Sequence, residues 1–194
     1  MKTDDILEVA MLWIIALTSA ALIAAAAIAA RRGLIQLSDD RQEAWAALAT
    51  QVVKRQELIT RIVELCASLL HYEHEAIERV THAASAVLAA ARREDIPALA
   101  AAEKAHQAAV ATLFALTGNY PQLTGSRAFG ALRDRVATLD ARVAERREQY
   151  NLAASVLNLR CGAFPHRLVA WSAGVHPAAL LGFGDSTPGQ AVSP

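Results

Sequence analysis

The hydrophobic pattern divides the chain into one long apolar stretch and three amphipathic segments. Residues 9–30 contain no charged residue, no Gly and no Pro. Beyond them, residues 34–96, 98–117 and 131–161 are three further stretches without Gly or Pro. Because these two residues are the strongest interruptions of helices, the pattern predicts a helix A over the apolar residues, followed by helices B, C and D. Asp95 is the predicted N-cap of helix C, and Pro97 lies in its first turn.

Each of helices B, C and D carries apolar residues at alternating steps of three and four, which is typical of helices that pack side by side. Almost a quarter of the residues are alanine and 5% are aromatic, which favours helices over sheets. The predicted fold class is therefore all-α, with one N-terminal transmembrane helix followed by an antiparallel bundle of long helices. The seam of helix B consists of Trp45, Leu48, Val52, Ile59, Ile62, Cys66, Leu69, Ala76, Val80, Ala83, Val87 and Ala90.

The apolar stretch of residues 9–30 is long enough to cross a bilayer. As a helix it extends about 33 Å, against a hydrocarbon core of about 30 Å. A cleaved signal peptide and a buried helix of a soluble protein remain alternative interpretations. A signal peptide begins with a basic segment, however, whereas the first eight residues of this chain are acidic. The predicted organisation is a short segment over residues 1–8, a transmembrane helix over 9–30, a bundle over 31–183 and a disordered tail over 184–194.

The charges beside the apolar stretch predict its orientation in the membrane. Lys2 precedes it, whereas Arg31, Arg32 and Arg41 follow it closely. Because cytoplasmic flanks carry the excess of Lys and Arg, we expect the N-terminus outside the cell and the bundle in the cytoplasm. The chain has no net formal charge, so a nucleic-acid partner is not expected.

Four polar residues interrupt the seams at positions where apolar residues are expected: Arg55, Glu73, His106 and Arg146. A buried charge is tolerated when it is paired, so these side chains could meet across the bundle. Alternatively, each could lie at the edge of a seam and extend its polar end into water.

Residues with metal-binding or catalytic chemistry are few. His71, His74, Glu75 and Glu78 share one helical face, and Glu103 precedes His106 by one turn. Di-metal carboxylate bundles need two Glu-x-x-His motifs and two further Glu residues, whereas this chain has one such motif. We therefore predict no catalytic, cofactor or metal site, and keep a metal-binding or enzymatic bundle that uses His71, His74, Glu103 and His106 as the alternative.

The predicted helix lengths leave part of helix B without a partner. As one helix over residues 40–92, B is about 80 Å long, whereas C is about 33 Å and pairs with the distal part of B. The seam from Trp45 to Ile62 is then exposed, which is unusual for a monomer. The sequence therefore predicts self-association through helix B; a different protein partner, or a longer connection between C and D, would also cover this seam.

Three separated blocks carry a specific pattern in order and spacing. The blocks are Ala44-Trp45 with residues 51–64, the loop of residues 120–129, and a C-terminal set of Tyr150-Asn151, Asn158 and Phe164-Pro165. Together they resemble the LemA family, whose members are membrane-anchored helical-bundle proteins of bacteria. The Tyr120-Pro121 and Phe164-Pro165 pairs are interpreted as loop anchors, and Phe164→Ala is expected to cost about 3 kcal/mol if the ring is buried.

The resemblance implies an outside N-terminus, a cytoplasmic bundle, no known activity and no catalytic residues. On this basis we expect a membrane scaffold that binds other proteins. Thr60-Arg61 stands where the family has Pro-Asn, which removes an expected kink from helix B. Leu139-Asp140-Ala141 stands where the family has Thr-Glu-Asn, so a polar role of this triplet is in question.

Overall fold

The computed structural model describes residues 2–67, 73–163 and 166–182. These residues form helices and no strand, so the predicted all-α fold class is confirmed. The helices are α1 (Lys2–Ala67), α2 (His74–Arg93), α3 (Ile96–Thr117), α4 (Pro121–Thr124), α5 (Arg127–Gly162) and α6 (His166–Ala173). The chain divides into unit 1, formed by Met1–Arg41 and Ser155–Ala178, and unit 2, formed by Gln42–Ala154 and Ala179–Pro194.

Unit 2 is an antiparallel four-helix bundle. The amide of Gln42 donates to Glu94 at one end of the α1–α2 pair, and Cys66 and Ala76 share a core cluster at the other end. The rings of Phe114 and Phe129 meet edge to face with centroids 6.2 Å apart, which pairs the end of α3 with the beginning of α5. Successive helices therefore alternate in direction, an arrangement that buries one apolar stripe of each helix.

One end of unit 2 closes around a cluster of apolar side chains from five helices. Leu123 of the short helix α4 is fully buried there. Tyr120, the residue just before α4, packs against the same cluster. Pro121 begins α4, where its missing N–H costs no helical hydrogen bond. The loop between α3 and α5 is thus held by its own apolar residues. The other buried members of the cluster are Ile59, Ile62, Cys66, Ala76, Val80, Leu113, Phe129 and Val136.

The turn between α2 and α3 has a capping residue for each helix. Glu94 adopts the left-handed conformation at φ 54°, and its N–H donates to the last carbonyls of α2. The side chain of Asp95 accepts from the N–H of Ala98 at 3.0 Å, and Pro97 lies in the first turn of α3. The prediction of Asp95 as N-cap is confirmed.

Unit 1 has a small apolar cluster of its own. Leu34 of α1, Leu157 and Cys161 of α5 and Ala170 of α6 are buried together. Beyond α6 the chain has no regular secondary structure, and the side-chain amide of Asn158 pairs with both the N–H and the carbonyl of Ala178, at 2.7 and 2.9 Å. This side chain therefore satisfies both backbone groups of Ala178.

One helix of the described residues is long and apolar enough to span a membrane. It is the N-terminal part of α1, within Met11–Ala67, where the most apolar window has a mean hydropathy of 2.3 and none of it is buried. The large side chains exposed along it are Met11, Leu12, Trp13, Ile14, Ile15, Leu17, Leu22, Ile23 and Ile28. The predicted apolar helix is thus present, and its length and composition make it a candidate membrane span.

The predicted boundaries of helices A and B are wrong. A and the first part of B form one helix, α1, which runs through Ser38-Asp39-Asp40 and through Thr60-Arg61 without interruption. The second part of B is the separate helix α2, which runs back along α1, and Glu73 before it is not helical. Leu69, Phe164 and the tail of residues 184–194 lie outside the described residues.

This reversal removes the exposed seam that the sequence predicted on helix B. Trp45, Leu48 and Val52 are each no more than 5% exposed, as are Ile59 and Ile62, because α2, α3 and α5 pack around this part of α1. The spacing therefore predicted correctly that these side chains are buried, but it did not predict that α2, α3 and α5 of the same chain cover them. Self-association remains a prediction, but an uncovered seam no longer supports it.

Candidate functional site

The middle of unit 2 contains a cluster of charged and polar side chains inside the bundle. Arg55 of α1 donates to the carboxylate of Glu103 on α3, and both side chains are no more than 3% exposed. The same guanidinium lies 3.4 Å from the carboxylate of Asp140 on α5, which is half exposed. Three helices thus meet at one arginine whose positive charge is compensated inside the core.

His106 lies one turn after Glu103 on α3 and is also buried. Burial, and to a smaller extent the nearby positive charge of Arg55, together lower the pKa of its imidazole from 6.5 to about 4. The imidazole is therefore neutral at physiological pH. Burial also raises the pKa of Asp140, an effect that the attraction of Arg55 opposes.

The cluster carries polar atoms that no described residue satisfies. Nε of Arg55, Oε2 of Glu103 and Nε2 of His106 are buried without a hydrogen-bond partner among the described residues, as are both amide atoms of Gln56. Such atoms cost about 1–3 kcal/mol each when no water reaches them. Because Arg55, Glu103 and His106 are almost completely enclosed, a substrate could reach them only if the bundle opened. The arrangement is therefore suited to fixing the register of α1, α3 and α5.

Two of the four predicted seam-breaking residues belong to this cluster and two do not. Arg55 and His106 lie close together in it. Arg146 is partly exposed, and its guanidinium donates to the side chain of Gln149 one turn away at 2.8 Å. Glu73 is also partly exposed, and its carbonyl accepts from the N–H of Ile77. Both predicted alternatives thus occur in the same chain: two of these residues lie together inside the bundle, and the other two are partly exposed.

The residues of the metal-binding alternative do not converge in the described part of the chain. His74, Glu75 and Glu78 are exposed at the beginning of α2. The groove that contains Glu75 also contains Thr112, which is about 13 Å along α3 from Glu103 at the helical rise. His71 lies outside the described residues. The described residues contain no group of three or more His, Cys, Asp and Glu that could hold a metal ion.

Sequence reasoning missed Glu103 and Asp140 as the partners of Arg55. Glu103 was considered for metal binding with His106, but its position next to Ala102, which belongs to the seam of helix C, was a usable signal. A charge within one seam requires an opposite charge on a facing helix, and Glu103 is the acidic residue of α3. Asp140 shows that the triplet of residues 139–141 retains a polar contact despite its departure from the family pattern.

Trp45, Tyr150 and Asn151 of the three sequence blocks also have structural contacts. Trp45 packs edge to face on Tyr150, with ring centroids 5.5 Å apart, and the hydroxyl of Tyr150 donates to the carbonyl of Ala179. The amide of Asn151 pairs with the N–H and carbonyl of Leu181, at 2.8 and 3.1 Å. In unit 2, therefore, these residues hold the C-terminal segment against α5, and this accounts for them without a ligand.

Both cysteines are buried, and we expect them to be unreactive in the folded protein. Burial raises the pKa of Cys66 from 9.0 to about 11, which leaves about a hundredfold less thiolate at a given pH, and it also raises the pKa of Cys161. A thiol-reactive dye should label neither residue at an appreciable rate until denaturant is added. Rapid labelling of the native protein would show that the core opens frequently.

Comparison with known proteins agrees with the geometry. No curated protein matches the chain. The model of the LemA family matches residues 44–193, which include the whole described part of unit 2 except its first two residues. The match contains Arg55, Glu103, Tyr150 and Asn151, whose contacts hold the bundle together. Since it covers most of the sequence, the chain belongs to the LemA family.

Proposed function

We propose that this protein is a single-pass membrane protein whose helical bundle acts as a non-catalytic scaffold for other proteins. The observation that carries the proposal is α1, because this one helix contains an apolar stretch with no buried residue in its most apolar window and also forms one helix of the bundle in unit 2. An aqueous monomer does not expose so many large apolar side chains in succession, whereas lipid covers them. The enclosed polar cluster favours a structural role over catalysis.

Features of unit 1 further support a membrane location. A groove of about 660 Å³ lies between Ala26–Asp40 of α1 and Val156 and Arg160 of α5, and its lining is mostly apolar. Trp171 of α6 is 84% exposed. Tryptophan and arginine are common at the boundary between lipid and water, where the first buries its ring and the second contacts phosphate.

The proposed topology places the bundle in the cytoplasm and the N-terminus outside. It can be tested with a membrane-impermeant maleimide on intact cells, since both native cysteines are buried. We expect Thr3→Cys to be labelled in intact cells, and Lys104→Cys to be labelled only after the membrane is permeabilised. Labelling in the reverse order would invert the topology, and loss of the segment before residue 31 from the mature protein would show a cleaved signal peptide.

The scaffold role can be separated from the metal-dependent alternative by two measurements on one sample. Protein purified in detergent from membranes should contain no stoichiometric transition metal, and cross-linking before extraction should join it to a reproducible set of proteins. A bound metal that His106→Gln removes would instead favour the alternative that uses His71, His74, Glu103 and His106. Failure to cross-link any partner would contradict the scaffold role.

A further inference from the structure

A basic groove runs along the surface of unit 2 between α1 and α5. Its volume is about 400 Å³, and four of its lining residues are cationic: Lys54 and Arg61 on α1, and Arg135 and Arg142 on α5. The groove contains one carboxylate, Glu57, so four positive charges and one negative charge leave a net charge of +3. The whole chain has no net formal charge, so this concentration of positive charge is a local feature of the groove.

The four cations are free to bind a ligand. All four side chains are exposed, and within the described residues none of them has an ion pair or a side-chain hydrogen bond. The Asp140 carboxylate, between Arg135 and Arg142 in the sequence of α5, lies 3.4 Å from Arg55 instead. Four positive charges held together with one negative charge repel each other on balance, so an anionic ligand would relieve this repulsion when it binds.

The two walls of the groove repeat the same pattern. Each has a cation, a leucine four residues later and a second cation seven residues after the first: Lys54, Leu58 and Arg61 on α1, and Arg135, Leu139 and Arg142 on α5. Residues at these spacings share one face of a helix, and seven residues correspond to about 10.5 Å. Because α1 and α5 are antiparallel, each end of the groove has two cations and its middle has two partly buried leucines.

We propose that this groove binds an acidic amphipathic helix of a partner protein, with carboxylates seven residues apart and an apolar residue between them. Such a helix would place its apolar side chain on Leu58 and Leu139 and its carboxylates against the cations at the two ends. A nucleic acid fits less well, because the groove offers leucines where single strands stack their bases on aromatic rings. The inference rests on the proposed scaffold function and names the chemistry of its partner.

The test uses the full-length protein in detergent and a fluorescent synthetic peptide of about 15 residues. The peptide is helical and carries the pattern Glu-x-x-Leu-x-x-x-Glu. We expect micromolar binding that weakens as salt is added, because exposed charges are screened. Arg61→Glu combined with Arg142→Glu should weaken binding about tenfold or more. The matched control, Lys104→Glu with Arg133→Glu, changes two exposed cations outside the groove and should leave binding unchanged.

A photoreactive group in place of the peptide leucine provides a second measurement that does not depend on the variants. It should cross-link to the segments that contain Leu58 and Leu139. Cross-linking elsewhere, equal loss of binding in the control pair, or binding of anionic vesicles or single-stranded DNA but not of the peptide would overturn the proposal. If the peptide fails to bind while cross-linking in membranes still captures partners, this inference fails alone; if membranes give no partners, the proposed function fails as well.

Discussion

Replacing Glu103 by leucine is expected to lower the free energy of unfolding by about 3–5 kcal/mol. The substitution leaves the Arg55 guanidinium enclosed in the core, with only the half-exposed Asp140 carboxylate within 3.4 Å. An unpaired buried charge costs far more than the pair contributes, because its hydration is lost without replacement. Denaturant unfolding of the detergent-solubilised protein, followed by the helical circular dichroism signal, measures the change.

Two further variants show whether the loss comes from the unpaired charge. Replacing both partners, with Arg55→Met and Glu103→Leu, should restore most of the stability, because apolar side chains of similar size then fill the site. Asp140→Asn should cost less than about 1 kcal/mol, since that carboxylate is half exposed and water screens its attraction to Arg55. A Glu103→Leu variant as stable as the natural protein would contradict the buried pair.

Acidification is expected to destabilise the bundle by about 3 kcal/mol through His106 alone. Its pKa is about 4 in the folded protein against an ordinary value of 6.5, so between these values the unfolded chain binds a proton that the folded chain excludes. The contribution is fully present above about pH 6.5, and it is lost as the pH falls toward 4, at about 1.4 kcal/mol per pH unit.

Unfolding measured between about pH 7 and pH 5 isolates this effect from most carboxylate titrations. Over this range the natural protein should lose about 2 kcal/mol, whereas His106→Gln, which cannot titrate, should show a much flatter dependence. His82→Gln is a matched control, because His82 is exposed on α2, and it should keep the slope of the natural protein. Equal slopes in the His106 variant and the natural protein would show that the imidazole does not exclude a proton in the fold.

Much of the fold could be predicted because helical periodicity is a local property of the chain. The seam spacing identified Trp45, Val52, Val80 and Val87 as buried before any contact was known, and all four are. Capping chemistry is equally local, and Asp95 caps α3 as expected. Candidate chemistry was harder to predict, because Arg55 and Glu103 are far apart in the sequence and only the packing of α1 on α3 joins them.

Predicted helix B shows most clearly which features the sequence determined and which only the tertiary structure decided. The sequence by itself determined the helical class, the apolar N-terminal stretch, the buried faces and the family, since each depends on residue type and spacing along the chain. It did not reveal that residues 42–67 and 74–93 lie side by side, because no Gly or Pro marks the reversal. Only the tertiary structure decided which seams cover each other. A periodic stripe specifies that a face is buried, whereas its partner depends on the direction in which the chain returns.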